Sequence, residues 1–121
     1  MSPTVLIVED ELLIAEYFKV VVEHLGYGVA GIAATAEEAV HLARTKGPSI
    51  VFMDVRLAGA KDGVDAAKEI HENKPVPMIF ITASREPATA ERIQSDHPAA
   101  VLIKPVLQKQ LEDVLTRFCP Q

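Results

Sequence analysis

Four short apolar runs punctuate the chain: Val5-Leu6-Ile7-Val8, Ile50-Val51-Phe52-Met53, Met78-Ile79-Phe80-Ile81 and Val101-Leu102-Ile103. They are continuous rather than alternating, which is how strands buried on both faces of a parallel sheet read. A weaker run, Tyr27 to Ala33, carries Gly28 and Gly31 and reads as an edge strand.

Helical patterns fill the gaps. Glu11 to Leu25 places Ile14, Phe18, Val21 and Leu25 on one stripe. Thr35-Ala36-Glu37-Glu38 has the spacing of a capping box, and Gly47-Pro48 stops the helix that it opens. Asp62-Gly63 leads into a third helix with Val64, Ala67 and Ile70 inward. Pro87 suits the first turn of a shorter fourth helix, ended by His97-Pro98. Leu107 to Phe118 is expected to bury Leu111, Val114, Leu115 and Phe118. Strand and helix thus alternate five times, which predicts an α/β fold of right-handed βαβ units. The expected architecture is a doubly wound five-stranded parallel sheet, flavodoxin-like, in the order 2-1-3-4-5.

Composition narrows the functions open to such a fold. The 121 residues are 49% hydrophobic and 24% charged, with no repeat or linker, so residues 1–121 are expected to form one domain without an output domain. A net charge of -5 argues against a nucleic-acid partner. No apolar run approaches a membrane span, and Met1-Ser2-Pro3-Thr4 lacks a basic leader. Cys119 is the single cysteine, which suits a reducing, cytoplasmic setting. His24, His41, His71 and His97 are dispersed without metal-ligand spacing and read as surface or helix-end residues.

Each strong strand ends in a polar residue that a buried strand does not need: Glu9-Asp10, Asp54, Thr82 and Lys104. A parallel sheet puts these ends on one edge, where open α/β folds form their sites. Singly, Asp10 could cap the first helix, Asp54 start a turn, Thr82 end a strand and Lys104 snorkel. Jointly they make a site. Crowded carboxylates repel unless a cation joins them, and hard oxygen ligands suit Mg²⁺. An ionised Asp54 could then attack phosphorus, with Lys104 and the Thr82 hydroxyl neutralising phosphoryl oxygens and small Ala83 leaving room beside them. No base suited to an acyl-transfer triad stands out, and no Gly-rich loop follows the first strand.

Together, Val8-Glu9-Asp10-Glu11, Met53-Asp54-Val55-Arg56, Asp62-Gly63, Thr82-Ala83-Ser84 and Lys104-Pro105 resemble the receiver domains of two-component response regulators, over essentially the whole chain. The resemblance implies a phosphorelay switch, not an enzyme. Asp54 would be the phosphoacceptor, charged by a sensor histidine kinase or histidine phosphotransfer protein. Asp10 and Asp54 would bind Mg²⁺ directly, Glu9 through water, and Arg56 through its main-chain carbonyl. Lys104 and Thr82 would hold the phosphoryl group, and Lys104-Pro105 would be cis. A downstream protein target and a homodimer are further expectations.

The chain departs from the receiver pattern at Val101, where the family usually has an aromatic residue. It departs again in the loop Leu57 to Lys61 and in Asp96-His97-Pro98-Ala99-Ala100, so the face formed by the fourth helix, fifth strand and fifth helix is expected to be unusual. Arg56 reads either as a solvated loop residue or as a cover over the acyl phosphate. On the first helix Leu13, Tyr17, Val20 and His24 form a second stripe, either a widened core face or a docking patch. Two other classes stay open. One is an aspartate-nucleophile phosphatase like the haloacid dehalogenases, whose Asp-x-Asp is broken here. The other is a docking module that is not phosphorylated.

Overall fold

The computed structural model describes residues 3–121, so the Met1-Ser2 part of the leader reading lies outside the described residues. Ten elements alternate: β1 (Thr4–Val8), α1 (Leu12–His24), β2 (Gly28–Ala33), α2 (Ala36–Lys46), β3 (Ile50–Asp54), α3 (Gly63–Asn73), β4 (Met78–Thr82), α4 (Pro87–Ser95), β5 (Ala100–Ile103) and α5 (Gln108–Phe118). All pairings are parallel and the strand order is 2-1-3-4-5, as the pattern predicts. β2 lies at the edge, and its register against β1 slips between Val5 and Leu6.

The unbroken apolar runs follow from burial on both faces. Leu6, Val8, Val51, Met53 and Phe80 point to the face covered by α2, α3 and Ile93 of α4. Their neighbours Val5, Ile7, Phe52, Ile79 and Ile81 point to the face covered by α1 and α5. Phe18 meets Phe52 edge-on there, with ring centroids 6.2 Å apart. At roughly 1.5–3 kcal/mol for each large side chain fully buried, these two layers supply the main driving force for the fold.

Local signals act with small corrections. The Thr35 hydroxyl accepts from the Glu38 N–H at 3.1 Å, but the Glu38 carboxylate reaches back to the Ala34 N–H rather than to that of Thr35. Gly47 ends α2 in the left-handed region at φ 55°, which glycine adopts without penalty. Phe118 is half-buried instead of buried. It closes the last turn of α5, where Cys119 turns inward in its place and the Arg117 guanidinium lies 5.1 Å over the ring. Of the first α1 stripe, Phe18 and Val21 are buried, while Ile14 and Leu25 are only half-buried at its margins. Among the described residues no helix is long and apolar enough to cross a membrane.

Candidate functional site: an acidic crevice at the carboxyl edge of the sheet

The strand order reverses between β1 and β3, so the ends of these two strands flank a crevice. Val8 pairs with Met53, which brings Glu9 and Asp10 beside Asp54. Thr82 pairs with Ile103, and the Lys104 N–H donates to the Thr82 carbonyl at 2.9 Å. All the strand-end residues singled out in the sequence therefore meet at one edge. Asp10, Asp54, Arg56, Thr82 and Lys104 line a crevice of about 660 Å³, and Glu9 beside them is buried.

The ammonium of Lys104 bridges two buried carboxylates. It donates to Glu9 Oε1 at 2.7 Å and to Asp54 Oδ2 at 3.2 Å. One positive charge does not balance this set. Burial and the neighbouring Glu9 carboxylate push Asp54 up to about 7, against the partly offsetting pull of Lys104. Burial alone would lower the Lys104 ammonium, but its bonds to Glu9 and Asp54 outweigh that and raise it.

Asp10 caps nothing. Glu11 is the N-cap of α1, without a side-chain bond, and Glu9 Oε2 takes the Glu11 N–H at 3.1 Å. Exposed Asp10 thus stays available, and one ligand atom from each of Glu9, Asp10 and Asp54 lies within 4.8 Å of the others. Three crowded oxygen donors and a raised Asp54 fit a hard divalent cation, which would supply the missing positive charge. The Thr82 hydroxyl accepts from the Ser84 N–H at 3.0 Å, leaving its own proton to donate into the crevice. Arg56 is exposed on the rim, and Lys104-Pro105 is cis.

The sequence did not disclose what supports Asp54 from behind. Gly63, the first residue of α3, donates its N–H to the Val55 carbonyl at 2.7 Å. A Cβ there would collide with the backbone carbonyl of Asp54, so only glycine fits. Asp62 caps α3 through the Val64 and Asp65 N–H groups, each at 3.0 Å. The same carboxylate takes both terminal nitrogens of Arg92 from α4, at 2.6 and 3.1 Å. Burial would raise Asp62, but these bonds outweigh it and hold it below the ordinary carboxylate range. Asp62 and Arg92 are thirty positions apart, beyond any local pattern. α4 buries only Ile93, so this ion pair is a principal tie of α4 to α3.

The second α1 stripe is exposed: Leu13 at 85%, Val20 at 62% and Tyr17 at 40%. The Tyr17 hydroxyl donates to the Val106 carbonyl at 3.2 Å, joining α1 to the β5–α5 loop. His71 lies in the last turn of α3, in keeping with the reading of the histidines as surface or helix-end residues. It is half-buried there, with Nδ1 3.0 Å from buried Asp96.

A doubly wound sheet with an acidic, lysine-bridged crevice at its switch point has its polar site where flavodoxin-like α/β folds bind their ligands. The response regulator receiver domain profile matches residues 5–116, and the chain belongs to that family. It is a phosphorelay receiver. It is similar to the phyllosphere-induced regulator PhyR of Methylorubrum extorquens, with 38% identity over 97% of this chain and 43% of that protein. It is also similar to the transcriptional regulatory protein PdtaR of Mycobacterium tuberculosis, with 38% identity over 84% of this chain and 49% of that protein. The chain therefore spans about half the length of these relatives. Among solved structures, the signal receiver domain of a modulated diguanylate cyclase from Desulfovibrio desulfuricans superposes with a TM-score of 0.91 at 37% identity, covering 98% and 94% of the two chains. The receiver domain of PhyR from Erythrobacter litoralis gives 0.83 at 32% identity, covering 96% and 88%. Family membership sets the haloacid-dehalogenase reading aside.

Proposed function

We propose that Asp54 is the phosphoacceptor of this receiver and that Mg²⁺ is its cofactor. The observation that carries the reading is the excess of negative charge around Asp54, bridged by a single ammonium at 2.7 and 3.2 Å. Asp10 and Asp54 would ligate the cation, with Glu9 acting through water and the Arg56 main-chain carbonyl completing the protein ligands. The cation would keep Asp54 ionised and neutralise phosphoryl charge. The Asp54 carboxylate attacks phosphorus on a phosphohistidine, the P–N bond breaks, and the imidazole leaves with a proton. Lys104 exchanges its Asp54 contact for a phosphoryl oxygen, and the Thr82 hydroxyl donates to another.

The donor would be a sensor histidine kinase or a histidine phosphotransfer protein, docking on the exposed apolar stripe of α1. That stripe borders an apolar cleft of about 330 Å³ between α1 and the β5–α5 loop, lined by Tyr17, Val106 and Lys104 itself. The donor's histidine would therefore reach Asp54 from this side. Output would pass to a downstream protein, in the cytoplasm, by protein–protein contact. The chain would act as a switch, its single acceptor carboxylate being consumed and regenerated.

Incubation with a small phosphoryl donor and Mg²⁺ tests this reading. Labelling should require both Mg²⁺ and Asp54, and should show the base lability of an acyl phosphate. Equal labelling of Asp54→Asn would refute the acceptor assignment. Absence of any label would support the docking-module reading, and multiple turnover of a phosphate ester would contradict a switch.

A further inference from the structure

The start of α4 shares a wall of the acidic crevice with the start of α3: Glu86 and Thr89 line it, as do Lys61 and Asp62. α4 buries a single side chain, Ile93, and its N-cap Glu86 makes no side-chain bond to the helix. The fork from Arg92 to Asp62, at 2.6 and 3.1 Å, is joined by a longer contact to Asp65 at 3.5 Å. A two-pronged guanidinium–carboxylate pair fixes direction as well as distance. Asp62 is thus gripped from two sides. Its carboxylate caps α3 while it holds Arg92, and Asp65 accepts the Asp62 N–H at 3.0 Å.

Asp62 also ends the loop that borders the crevice. Val55 to Asp62 run along the wall, and the Gly63 N–H closes the loop on the Val55 carbonyl at 2.7 Å. Arg56, Ala58, Gly59, Ala60 and Lys61 are exposed within it. Buried Leu57 and the Ala58 N–H, 3.3 Å from the Ala34 carbonyl, add two further ties. Gly63 sits so near the Asp54 carbonyl that a Cβ would collide with it. A shift of Asp62 is therefore passed to the Asp54 backbone and to the loop that carries the Arg56 carbonyl. Mg²⁺ demands near-ideal octahedral geometry, so displaced ligands cost affinity.

We propose that Arg92 is a positioning residue for the crevice, acting through Asp62 and Gly63, so that a fastened α4 and an occupied crevice favour each other; this rests on the crevice being the Mg²⁺ and phosphoryl site. With the Asp62–Arg92 pair made, the loop meets the cation already ordered. With the pair broken, the loop must be ordered on binding, and affinity falls. The linkage is reciprocal, so Mg²⁺ in the crevice tightens α4 by the factor that the pair lends to Mg²⁺.

Calorimetric titration of Mg²⁺ into the unphosphorylated chain tests the coupling. The wild type should bind one Mg²⁺, and Arg92→Ala should bind it about fivefold more weakly. Tyr27→Phe removes a 2.8 Å bond to the Cys119 carbonyl, at the opposite edge of the sheet, and should bind Mg²⁺ as the wild type does. Hydrogen exchange reads the other direction on the unaltered protein. Saturating Mg²⁺ should slow exchange of α4 amides several-fold, such as the Ala90 N–H bonded to the Glu86 carbonyl, and should leave α4 of Arg92→Ala unmoved. Equal Mg²⁺ affinity in the wild type and Arg92→Ala would overturn the coupling and leave the crevice assignment intact. Equal weakening by Tyr27→Phe, or α4 exchange indifferent to Mg²⁺ in the wild type, would do the same. A wild type that binds no Mg²⁺ would overturn both the coupling and the assignment.

Discussion

Replacing Asp54 by asparagine should stabilise the cation-free protein, and by an amount that depends on pH. The Asp54 carboxyl rises from 3.8 to about 7 on folding. Between these values the folded state binds a proton that the unfolded state has released, so stability falls as pH rises. The contribution is fully present below about pH 4 and lost by about pH 7. Three units correspond to about 4 kcal/mol, which solvent screening in the open crevice reduces to about 2 kcal/mol. The Asp54→Asn side chain has no proton to lose and escapes this penalty. Urea unfolding of both proteins from pH 4 to pH 7.5, without divalent cation, measures the difference directly. The variant's advantage should grow by about 2 kcal/mol across that interval. Adding Mg²⁺ at neutral pH should then stabilise the wild type and leave the Asp54→Asn protein largely unmoved. Parallel stability curves for the two proteins, with equal responses to Mg²⁺, would refute the crowded-carboxylate account.

Other perturbations probe the surroundings of the crevice. Gly63→Ala forces a methyl into the Asp54 carbonyl, and overpacking of this kind should cost about 3 kcal/mol in urea unfolding. Arg92→Ala removes the α3–α4 pair and should cost about 1 kcal/mol, with hydrogen exchange in α4 accelerated while β3 stays protected. Tyr17→Glu places a charge in the exposed α1 stripe and should impair phosphotransfer from a protein donor while labelling by a small donor survives; equal loss with both would contradict docking there. Arg56→Ala should alter the lifetime of the phosphorylated form, followed as decay of label after donor removal; unchanged decay would leave Arg56 a solvated loop residue.

The parts of this fold that were legible in the sequence are those governed by local periodicity. Val5 to Val8 and Met78 to Ile81 announce two-sided burial because every residue in them must be apolar. The polar residue that ends each run marks the site, because topology alone carries those ends to one edge. Contacts set by tertiary distance were not legible. Arg92 reaches Asp62, and His71 reaches Asp96, across gaps that no periodicity spans. Gly63 looked like part of a helix start, whereas its missing Cβ is what lets α3 approach the Asp54 backbone. The second stripe of α1 was ambiguous for the opposite reason. A helix with apolar residues on most of its circumference has a core face that sequence cannot bound, and packing leaves Leu13 and Val20 outside it.

Val101 bears on how this receiver signals. It is half-buried and packs against the core on the α2 and α3 side. A valine cannot swing between inner and outer positions as a ring on a long lever can. The direct contacts from Asp54 to Gly63, then through Asp62 to Arg92, offer another physical connection between the crevice and α4.

Intact-protein mass spectrometry after exposure to a small phosphoryl donor, followed by peptide mapping, tests the central claim most directly. The account predicts a gain of one phosphoryl group per chain, on the peptide carrying Asp54, abolished by chelation of Mg²⁺ and by Asp54→Asn. A phosphoryl group mapped to any other residue, or one that persists in the Asp54→Asn protein, would contradict it.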